Sequence, residues 1–129
     1  MTSRRKWLLS AAALALAAVA PARAFEFLPY DAEKAQAAIR SGKPVVLHVY
    51  ADWCLQCHAQ KSILDTLKTT GTYDNIAFFR VNYDDQKDVV AKLGCPRSTV
   101  IAYKGGKEVK RMSWGMTTAS VEEVLKAAQ

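Results

Sequence analysis

A run of six mostly apolar residues, 45–50, constrains the fold more than any other part of this sequence. The run follows Pro44 and includes three valines, whose branched side chains favour an extended backbone. Its apolar residues are nearly continuous rather than alternating, which is typical of a strand buried on both faces of a mostly parallel sheet. Because helices cover both faces of such a sheet, the sequence predicts an α/β domain.

Strand and helix patterns alternate along the rest of the chain. A first helix precedes a βαβ unit, which is followed by a helix, an antiparallel hairpin and a last helix. Gly105 and Gly106 supply the hairpin turn, and Asp84 or Asp85 is expected to cap the third helix. The predicted fold class is therefore α/β, with a mixed four-stranded sheet flanked by helices. The predicted helices are 32–40, 54–67, a short one that ends at 93, and one from 117 or 118 to 128; the predicted strands are 45–50, 76–83, 99–103 and 107–112.

The first 24 residues have the pattern of an export signal that is removed from the mature protein. Residues 4–6 are basic, residues 7–20 are an almost unbroken apolar run, and Ala22 and Ala24 are small residues where a signal peptidase needs them. The apolar run is shorter than the roughly 20 residues of a membrane-spanning helix, so a permanent membrane anchor is the less favoured alternative. We predict cleavage near Ala24 and a periplasmic location. The two adjacent arginines also match a twin-arginine signal, so the route of export stays open.

The domain that remains after cleavage, residues 25–129, is short and nearly neutral. Four of the 18 basic residues lie in the leader and none of the 12 acidic residues does, so the net charge falls from +6 to +2. No basic stripe with interleaved aromatic residues remains in the sequence, which argues against nucleic acid as a partner. A single domain of this length can bury a stable core without disulfide staples, so its cysteines are free for chemistry. We expect the domain to be a monomer.

Two cysteines, Cys54 and Cys57, lie where the first predicted strand gives way to a helix. Their spacing places the thiols one helical turn apart, close enough to form a small disulfide ring. Cys54 lies at the N-terminus of the predicted helix, where unpaired N–H groups and the helix dipole favour a thiolate. The pattern predicts that Cys54 attacks a substrate disulfide and that Cys57 then resolves the mixed disulfide.

The same cysteines also allow two interpretations in which the protein carries a cofactor. His58 completes a CxxCH motif, the attachment sequence of c-type haem, although the alternation of strands and helices argues against a small cytochrome. Cys95 supplies a third thiol, and three thiolates would suit Cu(I) or zinc in a metal-binding module. The sequence has no second CxxC and no histidine pair at zinc spacing, so we expect no metal and no cofactor.

Residues 50–57, Tyr-Ala-Asp-Trp-Cys-Leu-Gln-Cys, resemble the active-site stretch of thioredoxins. Within that family the chain is most similar to periplasmic members, including the soluble C-terminal domain of the membrane-embedded thiol reductase. The resemblance extends from Pro44 to the last helix and implies a thioredoxin fold for residues 25–129. It further implies an exported thiol–disulfide oxidoreductase that reduces or isomerises disulfides of oxidised extracytoplasmic proteins. A membrane thiol reductase would then be its electron donor.

The resemblance also assigns residues to a substrate groove. The Leu-Gly-Cys-Pro stretch that ends at Pro96 falls where the family has its cis-proline, which implies that Pro96 is cis and faces the disulfide. The backbone of Cys95 would then lie beside the cysteine pair and bind an extended substrate segment, and Trp53 would line the same groove. Trp114 and Met116 are expected to pack against the sheet.

Three positions depart from the family pattern. The dipeptide Leu55-Gln56 lacks the histidine that stabilises the thiolate in strongly oxidising relatives, which favours a reductase or an isomerase. His48 stands where thioredoxins have a buried aspartate, and is either a proton relay to Cys57 or a core histidine. Cys95 stands where the family usually has an aliphatic residue or threonine, and is a small buried hydrophobe, a redox partner or a metal ligand.

Overall fold

The computed structural model describes residues 25–129, and the expected export signal, residues 1–24, lies outside them. Within residues 25–129 no helix is long and apolar enough to cross a bilayer. In chain order the elements are β1 (Phe27–Pro29), α1 (Ala32–Arg40), β2 (Val45–Tyr50), α2 (Leu55–Lys68), β3 (Ala77–Asn82), α3 (Lys87–Leu93), β4 (Thr99–Lys104), β5 (Lys107–Ser113) and α4 (Thr118–Ala128).

One mixed sheet contains the strands in the order β1-β3-β2-β4-β5. Strands β1 and β2 both run parallel to β3, whereas β4 is antiparallel to β2 and β5 is antiparallel to β4. The predicted α/β class is confirmed, but the predicted number of strands is wrong, because the sheet has five strands instead of four. The additional strand, β1, has only three residues and ends in Pro29, so it carries no periodicity from which a strand can be predicted.

Strand β2 is buried on both faces, as its sequence predicts. Val45, Leu47 and Val49 pack into a core cluster on the side of α1 and α3, and Val46 packs into a second cluster on the side of α2 and α4. None of these four side chains has any exposed surface. Truncating a buried leucine to alanine typically destabilises a protein by about 2–5 kcal/mol. The segment that follows β2 is therefore anchored to a deeply buried part of the domain.

The ends of α3 agree only in part with the sequence prediction. Gly94 ends the helix in the left-handed conformation at φ 62°, as expected of a glycine at a helix C-terminus. The predicted cap at Asp84 or Asp85 is wrong, because Gln86 holds the N-cap position and makes no side-chain capping bond. Asn82 Oδ1 accepts hydrogen bonds from the backbone N–H groups of both aspartates, so these residues form a turn after β3 instead.

The hairpin between β4 and β5 closes as predicted. Gly105 and Gly106 have φ angles of 60° and 82°, the left-handed conformation that both residues of this tight turn require and that glycine adopts without strain. Strand β5 lies at the edge of the sheet, and most of its charged side chains are exposed. Charges on an edge strand discourage pairing with the edge of another chain.

Candidate active site

A disulfide at the N-terminus of α2 joins Cys54 to Cys57, whose Cα atoms are 5.2 Å apart. Cys54 is the N-cap of the helix, and its Sγ accepts a hydrogen bond from the backbone N–H of Cys57 at 3.2 Å. In the reduced protein this N–H and the helix dipole would stabilise a negative charge on the Cys54 sulfur. Both cysteines are buried. The structure thus brings the two predicted redox residues together and gives Cys54 the environment of the attacking thiolate.

Large apolar side chains are exposed on the segments around the disulfide. Trp53 and Leu55, on either side of the first cysteine in the sequence, are 59% and 77% exposed. Trp114 and Met116, in the loop between β5 and α4, are 40% and 52% exposed, so the expectation that they pack against the sheet is wrong. The loop carries them beyond the last residue of β5, and the Trp114 ring stacks on Arg97 instead. Exposed apolar surface of this kind is suited to receive a protein substrate.

A buried glutamine, Gln60, connects α2 to three other segments of the chain. Its side-chain NH₂ group donates to the carbonyl oxygen of Ser98 at 3.0 Å and to that of Gly115 at 2.9 Å. Its Oε1 lies 3.0 Å from Nε2 of His48. Because both carbonyls require the amide nitrogen, the amide oxygen must accept, and the His48 proton is therefore assigned to Nε2. Gln60 has no exposed surface, so these bonds are shielded from water.

His48, which is fully buried in β2, is held in its neutral form. Burial and the positive charge of Arg80 lower the pKa of His48 to about 3, although its hydrogen bond with Gln60 partly opposes the shift. Arg80 lies opposite His48 on β3, with its guanidinium 4.1 Å from the ring centroid of Phe27 and 5.2 Å from that of Tyr50. Moving a proton from a thiol of ordinary pKa onto such a histidine is unfavourable by roughly 7 kcal/mol. The environment therefore favours a core histidine over a proton relay.

The segment before β4 differs from the expectation at Pro96. Every peptide bond described in residues 25–129 is trans, so the prediction that Pro96 is cis is wrong. Trans is the favoured isomer, and the chain turns into β4 at Ser98, which has a left-handed φ of 61°. The N–H of Ser98 donates to the carbonyl oxygen of Val49 at 2.9 Å, and the sulfur of Cys57 lies 3.8 Å from the same oxygen. Ser98, two residues beyond Pro96, is thus the part of this segment next to the disulfide.

Cys95 lies on the side of the sheet that carries α1 and α3. It packs against the core cluster of that side and lines a cavity of about 430 Å³ together with Tyr83, Val90 and Pro96. Burial raises the pKa of the Cys95 thiol, which is therefore protonated at neutral pH. Within residues 25–129 no three His, Cys, Asp or Glu side chains come together as a metal site. The structure places Cys95 with this core rather than with the disulfide, which favours its interpretation as a small hydrophobe.

His58 supports the loop that precedes α2. Its Nε2 lies 2.6 Å from the carbonyl oxygen of Asp52, to which it donates, and its Nδ1 lies 3.2 Å from the hydroxyl oxygen of Tyr50. The ring nitrogens are therefore engaged by the last residue of β2 and by a residue of the loop that leads to the first cysteine. These contacts give His58 a structural role in the loop, unlike the haem ligand that a CxxCH motif would require.

A family model described as Thioredoxin matches residues 27–127, which include every strand of the sheet and the disulfide. The chain belongs to the thioredoxin family. It is a thiol–disulfide oxidoreductase whose redox-active pair is Cys54 and Cys57, and the thioredoxin fold implied by residues 50–57 is confirmed.

Individual thioredoxin relatives cover most of the domain. The chain is 32% identical over 97 residues to Thioredoxin-2 of Saccharomyces cerevisiae, a match that covers 74% of this chain and 90% of the yeast protein. It is 32% identical over 84 residues to the thiol:disulfide interchange protein CycY of Rhizobium leguminosarum bv. viciae, covering 62% of this chain and 42% of that protein. The solved structure of Trxlp from Edwardsiella tarda is similar with a TM-score of 0.69 and 32% identity, over 75% of this chain and 95% of that chain.

Sequence analysis does not identify three residues of this thioredoxin-family site, namely Gln60, Arg97 and Ser98. A signal for Gln60 is present, because it lies one helical turn after Cys57 on the face that also carries Leu64. A polar side chain on a buried helix face must find hydrogen-bond partners. Arg97 and Ser98 carry no comparable signal, because their roles depend on contacts with segments that are distant in the sequence.

Proposed function

We propose that this protein works outside the cytoplasm as a monomeric reductase or isomerase of disulfides in oxidised exported proteins. The observation that carries the proposal is the position of Cys54, whose sulfur caps α2 and whose two neighbours in the sequence, Trp53 and Leu55, have exposed side chains. The signal-like pattern of residues 1–24 supports the extracytoplasmic location, and the similarity to the thiol:disulfide interchange protein CycY supports the exchange chemistry.

The reaction transfers two electrons to the substrate disulfide. In the reduced protein, the Cys54 thiolate attacks one substrate sulfur, which breaks the substrate disulfide, forms a mixed disulfide and releases one substrate thiolate. The Cys57 sulfur then attacks Cys54, which breaks the mixed disulfide, releases the second substrate thiol and regenerates the Cys54–Cys57 disulfide. A dithiol donor must return the two electrons, and we propose a membrane thiol reductase for this step.

The side chains near the cysteines favour the reducing direction. Leu55 and Gln56, between the two cysteines, carry no charge, and the neutral His48 adds none. Strongly oxidising relatives stabilise their thiolate, and with it the reduced form, far more than one N–H group and a helix dipole do. We therefore expect a reduction potential closer to that of thioredoxin, about −270 mV, than to the value of about −120 mV of a strong oxidant.

The reduction potential of the purified mature protein tests the direction of electron flow. The protein is equilibrated in dithiothreitol and glutathione redox buffers and is then alkylated. Mass spectrometry quantifies the fraction in which Cys54 and Cys57 are oxidised. A potential at or below about −270 mV supports a reductase, whereas one near −120 mV would show an oxidase and contradict the proposal. The Cys95→Val variant is measured in parallel, because its described domain contains no cysteine other than Cys54 and Cys57 and the alkylation therefore reports on that pair alone.

The location is tested separately by expressing the full chain in a bacterium and fractionating the cells. We expect the protein in the periplasm with an N-terminus at Phe25, as determined by intact mass. Retention of residues 1–24 in the membrane fraction would show a membrane anchor instead. Replacing Arg4 and Arg5 with lysine distinguishes the export routes, because only a twin-arginine signal depends on that arginine pair.

A further inference from the structure

The guanidinium of Arg97 lies between two indole rings beside the disulfide. Its central carbon is 4.6 Å from the ring centroid of Trp53 and 4.9 Å from that of Trp114. Trp53 directly precedes Cys54, and Trp114 belongs to the loop between β5 and α4. Both tryptophans are partly exposed, so Arg97 places a positive charge within the apolar surface that surrounds the redox site.

The charge of Arg97 has no partner in the described part of the chain. Among residues 25–129, the ion pairs link Lys61 to Asp65, Lys110 to Glu123 and Arg111 to Glu108, and none includes Arg97.

A carboxylate does lie near the rings, but it is bound to one of them. Asp84 accepts a hydrogen bond from the indole N–H of Trp53 at 2.9 Å. Arg97 Nε is buried and has no hydrogen-bond partner in residues 25–129. Arg97 itself is half-buried, and neither of its terminal nitrogens donates to another group within the described residues. The four N–H donors of these two nitrogens can therefore bind an acidic group brought by another molecule.

The backbone holds this arrangement in place. Ser98, the residue after Arg97, accepts a hydrogen bond from the backbone N–H of Trp114 at 2.8 Å and donates to the carbonyl oxygen of Val49 at 2.9 Å. The Ser98 carbonyl also accepts from the buried side chain of Gln60. Arg97 and Trp114 are thus attached to the same anchored residue, so little conformational freedom is lost when a ligand binds.

We propose that Arg97 is a specificity-determining residue that selects substrate proteins with an aspartate or glutamate next to the disulfide cysteine. The apolar part of the substrate segment contacts the Trp53 and Trp114 rings, and its carboxylate accepts hydrogen bonds from the Arg97 guanidinium. A charge-assisted bond of this kind at a partly apolar surface corresponds to a preference of about tenfold over a neutral side chain. The inference rests on the oxidoreductase activity and names the class of substrate on which it acts.

Three disulfide-linked peptides test the proposal. They share one sequence except for the residue that precedes the attacked cysteine, which is Asp, Asn or Lys. The kcat/KM for their reduction is measured with the wild type, Arg97→Gln, Arg97→Lys, and the control Arg40→Gln at the exposed end of α1. Near-ultraviolet circular dichroism of the tryptophans verifies that each variant is folded.

We expect the wild type and Arg40→Gln to reduce the Asp peptide about tenfold faster than the Asn peptide and to reduce the Lys peptide slowest. Arg97→Gln should bring the Asp/Asn ratio close to one, and because the change also removes the contacts with the two indole rings, the ratio within each variant is compared rather than the absolute kcat/KM. Arg97→Lys, which keeps the charge but loses the planar guanidinium, should give an intermediate ratio. High salt should lower the wild-type ratio, and this measurement needs no variant.

Two outcomes would overturn the inference. An Asp/Asn ratio near one in the wild type would show that the apolar surface alone receives substrates. The second outcome is that Arg97→Gln loses kcat/KM equally on all three peptides and has a raised pKa of Cys54. This result would show that the charge acts on the thiolate and does not select substrates. A failure to reduce any peptide in the wild type would instead contradict the proposed reductase function.

Discussion

Replacing Gln60 with leucine tests the buried network beneath the active site. The two side chains are similar in volume, but leucine removes the hydrogen bonds to His48, Ser98 and Gly115. Each buried polar group that loses its partner costs about 1–3 kcal/mol, and the added apolar burial returns only part of that. The Ser98 carbonyl keeps the hydrogen bond from the Trp114 N–H, so the His48 N–H and the Gly115 carbonyl are the two groups left unpaired. We therefore expect a net loss of about 2–4 kcal/mol, which is a large fraction of the 5–15 kcal/mol that typically stabilises a domain.

Urea denaturation of the oxidised protein, followed by tryptophan fluorescence, measures this loss. The matched control is Gln36→Leu, since Gln36 is an exposed glutamine on α1 and its replacement should change the unfolding free energy by no more than about 0.5 kcal/mol. Gln60→Leu should also lose more activity on a protein disulfide than on a small aromatic disulfide, each compared with the wild type. The reason is that Gln60 holds the carbonyls of Ser98 and Gly115, which are the chain neighbours of Arg97 and Trp114 on the surface around the disulfide.

The reasoning fails if Gln60→Leu loses less than about 1 kcal/mol, because the His48 N–H and the Gly115 carbonyl would then be satisfied without the amide. A second variant, Gln60→Glu, separates shape from hydrogen bonding. Its carboxylate can accept from His48 but cannot donate to the two carbonyls, so it should also be destabilised at neutral pH. A Gln60→Glu protein as stable as the wild type would contradict the assignment of the amide nitrogen to the carbonyls.

Three further predictions follow from the site. Cys54→Ser should abolish disulfide exchange, and Cys57→Ser should accumulate mixed disulfides on non-reducing gels; accumulation in Cys54→Ser instead would reverse the two roles. Burial lowers the pKa of His48 to about 3 in the folded protein. Between pH 6.5 and 3 the unfolded chain therefore binds a proton at His48 that the folded protein does not bind, so the free energy of unfolding should fall with decreasing pH. Below pH 6 the contribution of His48 to the free energy of unfolding should fall by about 1.4 kcal/mol per pH unit. Urea denaturation of His48→Gln at several pH values tests this, and the same pH dependence as in the wild type would refute the prediction. Cys95→Val should keep the potential and turnover within about twofold of the wild type, whereas stoichiometric Cu(I) binding that this change removes would restore the metal-site alternative.

The parts of the fold that local chemistry determines could be predicted from the sequence. The continuous apolar run of β2 predicts burial on both faces, and the adjacent Gly105 and Gly106 predict a tight turn. The spacing of Cys54 and Cys57 at a strand-to-helix junction predicts their disulfide. In each case the signal and the structure that it specifies lie within a few residues of each other.

The remaining features depend on contacts between distant segments. Strand β1 exists because Phe27 and its neighbours pair with β3, and three residues alone carry no pattern of a strand. Ser98 adopts a positive φ because Val49 and Gln60 bind its backbone from β2 and α2, and serine at that position gives no sign of this. The Trp114 ring stacks on Arg97, which is 17 residues earlier in the chain, and an apolar pattern cannot indicate such a contact.

The bonds of Gln60 also limit how this active site could be transplanted. The segment Trp-Cys-Leu-Gln-Cys is contiguous, and a designer could insert it at the end of a strand in many α/β scaffolds. The surface beside it, however, is made by loops near Ser98 and Gly115 that are tied to α2 through a single amide group. A graft of the short segment alone would therefore give a reducible disulfide without the surrounding surface. A functional graft would have to include residue 60 and supply two carbonyl groups at the same positions.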